Sequence, residues 1–425
     1  MPSSRLARVH GDPARLFLWS GLLWHAAVRA YWVSLVVRMT VDLQLSSLEL
    51  VLVGTAMELA LLLAEVPTGV VADTVSRKWS VVVGFALVGA AQMGAGLVES
   101  FPSLVITQIL WGIGYTFRSG ADTAWITDEM GSAAAVESLV LRRARLQLVV
   151  SVAAIAGGAG LARLTSLSTS VVLAGGTLLV TGSALGLLMG ETGFQPRRAA
   201  EAQTSTSDTS PSSPLSLGAF RATMVDGARA TLSNRSLRIL LAALLLSGLA
   251  SEAVDRLDIR RLDQLGLSAR YDAILVVGVI AASEAALGAL LLWWTESRLT
   301  GSQVVTGLAL LLAVSAVGIA ALGLVAVLPL ASLGLVVQGG LRSAAAPLQL
   351  TWANAQAPSE VRATVLSFVE QANSMGEISG GVVLGTVAAV STVPTALACS
   401  VVLILAAALT AARATATWAP LARTV

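Results

Sequence analysis

Apolar residues in this chain of 425 residues form long stretches that short polar segments separate. A helix needs about 20 apolar residues to cross the ~30 Å hydrocarbon core of a bilayer. We predict twelve such stretches, at about residues 16–38, 48–71, 79–98, 101–126, 145–164, 168–190, 235–254, 271–294, 303–323, 325–349, 361–388 and 392–414. The pattern therefore predicts an all-α polytopic membrane protein with twelve transmembrane helices.

The longest polar segment divides the predicted spans into six and six. Within it, residues 199–216 are rich in Ser, Thr and Pro and offer little apolar surface to bury, which is typical of a flexible linker. Residues 217–232 are compatible with a short amphipathic helix on the inner membrane surface. We therefore expect an N-terminal six-helix bundle over 1–190, a cytoplasmic linker over 191–234 and a C-terminal six-helix bundle over 235–425.

The two predicted bundles show weak internal similarity. The run RSGA at 118–121 lies in the fourth predicted span and is followed by Trp125, while RSAA at 342–345 lies in the tenth and is followed by Trp352. Matches at equivalent positions of two halves indicate a duplicated unit. The two bundles are therefore predicted to be pseudo-symmetric.

Only 12% of the chain is charged and 55% is hydrophobic, as expected of a membrane protein. Its orientation in the membrane is predicted from the positions of the basic residues. If the N-terminus is cytoplasmic, the inner segments hold 18 Lys and Arg residues and the outer segments hold 6. Cytoplasmic loops carry an excess of Lys and Arg. Both termini are therefore predicted to be cytoplasmic.

The chain offers few residues for catalysis or metal binding. It has one cysteine, Cys399, and two histidines, His10 and His25, so it lacks a Cys- or His-based metal site. It also lacks the glycine-rich phosphate loop of ATP-driven pumps. We therefore predict neither an enzyme nor a bound cofactor, and we do not expect nucleic acid as a partner.

The segment from Glu65 to Lys78 carries the sharpest motif. We expect Gly69 to permit close helix packing, as small residues do in membrane bundles. Asp73 falls at the cytoplasmic end of the second span, where a carboxylate can bond a helix N-terminus or an arginine and so latch one conformation. The alternative is that Arg77 and Lys78, which follow it, only determine topology.

This segment resembles the signature of the loop between the second and third spans in the major facilitator superfamily. The matching positions are Gly69, Asp73, Arg77 and Lys78. The sequence departs from the signature at Thr74, where a basic residue is common, and at Ser76, where glycine is usual. The resemblance implies the major facilitator fold, with Asp73 as part of a conformational latch.

Further stretches are similar to those of a bacterial drug:proton antiporter group related to macrolide and tetracycline efflux proteins. They cover residues 65–69, 120–129, 248–257 and 362–367, in both halves of the chain. This resemblance implies a transporter of the bacterial cytoplasmic membrane that works by alternating access. It does not identify the cargo.

Ionisable residues at membrane depth are costly and therefore indicate function. The candidates for proton coupling are Asp122, Arg118, Glu58, Glu65 and Glu377. Arg118 and Asp122 are four residues apart, close enough to pair on one helix, and a purely structural pair is the alternative. For Glu65 the alternative is a structural role at the latch.

A second set of residues is predicted to line a substrate cavity, namely His25, Arg29, Trp32, Trp111, Tyr115, Glu252 and Arg342. Aromatic residues of the first and fourth spans suit a flat, apolar cargo, and the alternative for them is an interfacial aromatic belt. Glu252 has the alternative of facing water beside Arg256. The charge-balanced segment 255–263 is predicted to extend the seventh helix and to form its own ion pairs.

The resemblance to the drug:proton antiporter group implies a proton-coupled exporter of amphipathic small molecules, whereas the moderate polarity of the candidate residues does not decide the direction of transport. The alternative is proton-coupled uptake of a small polar solute by the same fold. The expected partners are a small-molecule substrate, protons and the lipid bilayer. The energy source is the proton gradient, and a monomer is expected.

Overall fold

The computed structural model describes residues 11–194, 225, 228–229, 231–296, 298–299, 301–358 and 362–415. Within these ranges the chain forms fourteen α-helices and no strand. The helices are α1 (Pro13–Val37), α2 (Ser47–Thr74), α3 (Arg77–Leu97), α4 (Phe101–Ser119), α5 (Ala121–Met130), α6 (Ala133–Leu164), α7 (Leu167–Leu188), α8 (Arg235–Gln264), α9 (Leu267–Arg270), α10 (Ala273–Glu296), α11 (Gln303–Leu324), α12 (Leu328–Gln356), α13 (Arg362–Val390) and α14 (Val393–Ala412).

The predicted all-α architecture is confirmed, and each predicted span contains a helix. The fourth span is divided at Gly120, where α4 ends and α5 begins. Glycine has among the lowest helix propensities, which accounts for a break at this position. The predicted amphipathic helix at 217–232 lies largely outside the described residues.

Eight of the described helices are long and apolar enough to cross a membrane: α2, α3, α6, α7, α8, α10, α11 and α14. The other predicted spans are occupied by α1, α4, α12 and α13. These four helices carry His25, Arg29, Arg118, Arg342, Glu370 and Glu377. Ionisable residues also occur on α2, α8 and α10, which carry Glu58, Glu65, Glu252 and Glu284.

The chain forms two compact units. The first comprises Met1–Leu45, Ala56–Asp208 and Asp272–Ala282, and the second comprises Ser46–Thr55, Thr209–Tyr271 and Ser283–Val425. In the first unit, α1 packs on α6 and α7, and α3 packs on α4 and α7. In the second, α8 packs on α13 and α14, and α11 packs on α12 and α14. These pairings are equivalent one by one, as a duplicated unit requires.

In each half of the chain, an arginine near the end of the helix in the first predicted span binds the C-terminal end of the helix in the third predicted span. Arg38 donates from Nη2 to the Val98 carbonyl at 2.9 Å, just after α3. Arg261 donates to the carbonyls of Leu322 and Val325 at 3.2 and 3.3 Å, at the end of α11. Cations stabilise the unsatisfied carbonyls of a helix C-terminus, so both units use the same device.

Each unit also includes the N-terminal part of one helix from the other half of the sequence. The first part of α2 belongs to the second unit, where Gly385 packs on Val51 of α2. The first part of α10 belongs to the first unit, where Asp272 forms an ion pair with Arg163. The contact units therefore do not follow the sequence halves at these two helices.

Glycine brings the backbones of α3 and α7 together in the first unit. A Cβ atom on Gly175 would lie 2.6 Å from the amide nitrogen of Met93, whereas one on Gly176 would meet nothing within 4 Å. We expect Gly175→Leu to destabilise the protein by about 1–3 kcal/mol or more, because overpacking forces the helices apart. Gly176→Leu is the matched control and should have little effect. Thermal unfolding in detergent measures both, and equal unfolding temperatures would contradict the packing.

Candidate functional site

The first unit contains a carboxylate between two guanidinium groups. Asp122 Oδ2 accepts from Arg118 Nη2 at 2.7 Å and from Arg143 Nη1 at 2.9 Å. The three side chains are 10–13% exposed. With two cations and one anion, this arginine cluster of Arg118, Asp122 and Arg143 carries one net positive charge. It ties α4, α5 and α6 together.

Aromatic rings cover both guanidinium groups. Arg118 lies 4.3 Å from the ring centroid of Trp24, and Arg143 lies 3.9 Å from that of Phe17. Cation–π contacts at these distances stabilise desolvated arginines. Gly21 makes room for this arrangement, because a Cβ atom there would lie 2.6 Å from Arg143 Cδ.

Aromatic side chains of α1 and α4 form a continuous wall that we call the aromatic wall: Trp24, Trp32, Trp111 and Tyr115. The ring centroids of Trp111 and Tyr115 are stacked 5.4 Å apart, and that of Trp32 lies 5.6 Å from that of Trp111. Trp24 lies 6.4 Å from Tyr115 and therefore links the wall to the arginine cluster. The buried indole nitrogen of Trp111 has no hydrogen-bond partner.

The remaining predicted residues of the first unit are spread over α1 and α2. His25 Nε2 bonds Ser151 Oγ at 2.6 Å, which joins α1 to α6. Arg29, one turn further along α1, is exposed. Glu58 is half-buried on α2, and Glu65 is exposed on the same helix.

The second unit contains a cluster with more acids than bases. Arg342 on α12 forms ion pairs with Asp255 on α8 and with Glu377 on α13, the latter at 3.5 Å. Glu252 accepts from Arg256 at 2.9 Å, within α8. We call these five residues the acidic cluster. Its three carboxylates exceed its two guanidinium groups by one charge.

Asn373 contributes to the same cluster. Its Nδ2 donates to Glu377 Oε1 at 3.1 Å. Glu377 is therefore held by a neutral donor and by one arginine that it shares with Asp255. Its side chain is 13% exposed.

The predicted extension of the seventh helix is confirmed, because α8 continues to Gln264. The expectation that segment 255–263 forms its own ion pairs is wrong for Asp255, which bonds Arg342 of α12. It is also wrong for Arg261, which caps α11. A charge pattern along one segment does not show that a neighbouring helix offers a closer partner.

The pair of Glu252 and Arg256 is covered by α2. A Cβ atom on Gly54 would overlap Arg256 Nε and Glu252 Oε1. Glu252 is 3% exposed. The alternative of a water-facing Glu252 is therefore wrong, although its pairing with Arg256 is present.

The loop motif forms a network in the first unit. Arg77 bonds Asp128 of α5 and lies 3.4 Å from Asp73. Ser76 Oγ accepts a hydrogen bond from the Trp79 amide at 3.0 Å and so caps the N-terminus of α3. Serine is a favourable N-cap residue, which accounts for its presence where the signature has glycine. The Lys78 amide donates to Glu191 at 2.9 Å.

The expectation of close packing at Gly69 is wrong. A Cβ atom there would meet nothing within 4 Å. Gly69 borders a crevice of about 500 Å³ that is lined also by Glu65, Asp73 and Phe117. The glycine therefore leaves space on this face of α2 and does not hold a second helix against it.

Sequence reasoning did not identify Arg143, Asp128, Glu191 or Asp255 as site residues. Asp255 had a usable signal, because it follows Glu252 by three residues and so shares its helix face. Arg143 is one of the 18 basic residues counted above for the inner segments, and its position in the sequence gives no sign of a partner. Its partner Asp122 is 21 residues away in sequence, so only the packing of α6 reveals the contact.

The sequence matches the Major Facilitator Superfamily over residues 17–381. The chain belongs to this superfamily, and the protein is a multi-pass membrane transporter and not an enzyme. No protein of curated function matches the sequence.

Solved structures of transporters resemble the protein over nearly its whole length. Nucleoside transporter NupG has a TM-score of 0.73 at 14% identity and covers 96% of this chain and 100% of its own. A bacterial homolog of the human lysosomal transporter Spinster, inward-facing and unoccupied, has a TM-score of 0.72 at 16% identity, covering 96% and 98%. A POT family transporter in complex with 5-aminolevulinic acid has a TM-score of 0.69 at 10% identity, covering 95% and 96%. At these identities the likeness establishes the shared fold.

Proposed function

We propose that this transporter exports amphipathic small molecules in exchange for protons. The observation that carries the proposal is the acidic cluster, in which Glu377 shares Arg342 with Asp255. Because its carboxylates outnumber its guanidinium groups by one, the cluster can bind one proton on a carboxylate and become neutral. Ionisable groups inside membrane bundles commonly serve as proton relays.

Proton binding at Glu377 would change the ion pairs that join α13, α12 and α8. The ionised carboxylate attracts Arg342 and so holds α13 to α12. Once neutral, Glu377 loses most of this attraction, and Arg342 stays with Asp255 of α8. The proton thus shifts the balance between two arrangements of the same helices, which is what alternating access requires.

The proton gradient supplies enough energy for export. One charge moving through 100 mV releases about 2.3 kcal/mol. This free energy supports a roughly fiftyfold concentration ratio of a neutral cargo, since each 1.4 kcal/mol or so corresponds to a factor of about ten.

The aromatic wall supports an amphipathic cargo. Its stacked rings of Trp111 and Tyr115 offer a flat apolar surface. Tyr115 is 36% exposed, so part of this surface is open to a ligand. In this proposal the arginine cluster beside the wall positions Trp24 through Arg118, and the Asp122 contacts set the position of Arg118.

Uptake of a small polar solute is the second candidate function. It is favoured by the polar groups near the wall, in particular the unsatisfied indole nitrogen of Trp111 and the carbonyl oxygen of the Gln108 amide. A polar solute would satisfy both groups. An apolar cargo would leave them unpaired at a cost of about 1–3 kcal/mol each.

Inside-out vesicles loaded with an acid interior test the exchange. A panel of amphipathic compounds is added outside, and a fluorescent pH indicator follows the interior. We expect at least one compound to discharge the gradient, whereas vesicles without the protein should not respond. Inward proton movement together with a polar solute would support uptake, and absence of proton flux across the whole panel would reject antiport.

We also propose that the protein works as a monomer in a bacterial cytoplasmic membrane, with both termini cytoplasmic. The distribution of Lys and Arg along the sequence supports this orientation. Labelling of single cysteines placed at residues 2 and 424, in intact cells and in inverted vesicles, measures it. Labelling from outside intact cells would contradict it.

A further inference from the structure

The second unit contains a partly open cavity of about 210 Å³ between α8, α11, α12, α13 and α14. Four of its lining side chains are polar and more than nine-tenths buried: Ser247, Ser251, Ser315 and Gln338. They come from three different helices and point into one interior space. The Ser247 and Ser251 hydroxyls already donate to carbonyl oxygens of α8, but each hydroxyl oxygen can still accept a hydrogen bond. The cavity therefore favours a polar occupant that donates hydrogen bonds.

The cavity borders the groups that hold Glu377. Asn373 and Arg342 both line it, and both reach Glu377 Oε1, at 3.1 and 3.5 Å. Glu370 lines it as well and is exposed. Glu370 and Glu377 are seven residues apart on α13, which corresponds to about 10 Å along a helix axis.

The volume of the cavity limits what can occupy it. Drug-sized ligands fill pockets of about 300–1,000 Å³, so a whole amphipathic cargo does not fit. A water molecule needs only about 10–15 Å³ of accessible volume and two to four polar partners. The cavity therefore has room for several waters, and its serine, glutamine and asparagine side chains provide the partners.

We propose that this cavity is a water-filled chamber that carries protons between Glu370 and Glu377. This inference rests on the proposed exchange of cargo for protons. A proton leaves the Glu370 carboxyl group, passes along hydrogen-bonded waters and binds the Glu377 carboxylate. Glu370 is then ionised and regains a proton from outside the cavity, on the side where its carboxyl group is exposed. Arg342 is the charged group that α12 contributes to the lining; α8, α11 and α14 contribute serine and apolar side chains to it.

Filling the chamber tests the proposal. Ser315→Leu places an isobutyl group where α11 faces the cavity and displaces water. We expect cargo-driven proton flux to fall about tenfold or more, because proton relay contributes factors of about 100 or above. The apparent affinity for cargo should stay unchanged. Thr306→Leu, which makes a similar change at an exposed residue of α11 outside the lining, is the control and should transport normally.

Infrared spectroscopy provides a readout that does not need cargo. The carboxyl band of protonated Glu377 is identified by its loss in Glu377→Gln, and its shift after transfer to heavy water gives the exchange rate. We expect slower exchange in Ser315→Leu and in Glu370→Gln. If Ser315→Leu fails to fold, Gln338→Leu removes a polar lining group at nearly constant volume and should also slow the exchange.

The outcomes separate this inference from the proposed function. Wild-type exchange rates in the folded variants would overturn the chamber even if antiport is observed. A weakened apparent affinity for cargo with normal proton flux would assign the cavity to cargo binding and would also overturn it. Absence of cargo-driven flux in the wild type would reject the proposed antiport, whereas the infrared exchange would still decide the chamber.

Discussion

Glu377→Gln is expected to abolish cargo-driven proton flux, a decrease of about 100-fold or more. Glutamine has nearly the same shape and can still bond Asn373 and Arg342, but it cannot bind and release a proton. Exchange of labelled for unlabelled cargo across the membrane needs no net proton movement and should persist. Proton flux and cargo exchange are measured in the same proteoliposomes.

Glu137→Gln is the matched control, because Glu137 is an exposed glutamate of α6. It should behave as wild type in both assays. Undiminished proton flux in Glu377→Gln would place the proton elsewhere, with Glu252 of the acidic cluster and Glu58 of α2 as the next candidates.

The second large effect is expected for Asp122→Asn. The substitution leaves Arg118 and Arg143 buried without their shared carboxylate, and breaking a buried ion pair costs about 3–5 kcal/mol. We expect a marked decrease in the thermal unfolding temperature and loss of transport. Calorimetry or a thiol-independent fluorescence assay in detergent measures the unfolding temperature.

A second substitution provides the control for this charge argument. Asp122→Asn combined with Arg143→Gln removes one of the two uncompensated cations and should be more stable than Asp122→Asn alone. Arg142→Gln changes an exposed neighbour and should leave stability unchanged. An additive double variant would show that Asp122 and Arg143 do not interact, since coupled residues deviate from additivity.

The helices of this protein were largely predictable, because bilayer thickness sets the length of an apolar stretch directly. The third span illustrates this agreement, with 79–98 predicted and Arg77–Leu97 observed. The fourth span shows where the rule fails. The predicted span continues to residue 126, because Ala124, Trp125 and Ile126 are apolar, so hydropathy alone does not reveal that α4 ends at Ser119.

It was easier to predict from the sequence which residues belong to the site than which of them contact one another. Arg118 and Asp122 are one turn apart, and their pairing follows from helix geometry. The contacts of Arg342 with Asp255 and Glu377 join three helices, and sequence spacing carries no information about such a contact. The prediction of close packing at Gly69 was wrong for a different reason. A glycine leaves space beside a helix, but the sequence does not show whether another helix fills that space.

The charged residues of α4 and α12 have a consequence for how the chain enters the membrane. A charged residue at the centre of a single helix opposes partitioning into lipid by about 2.5–3.5 kcal/mol. These helices therefore need an apolar neighbour at the moment of insertion. For α4 that neighbour is α3, and for α12 it is α11, the helices on which they pack in the finished fold. For α4 and α12, the distribution of side chains favours insertion as a hairpin with the apolar helix that precedes each of them.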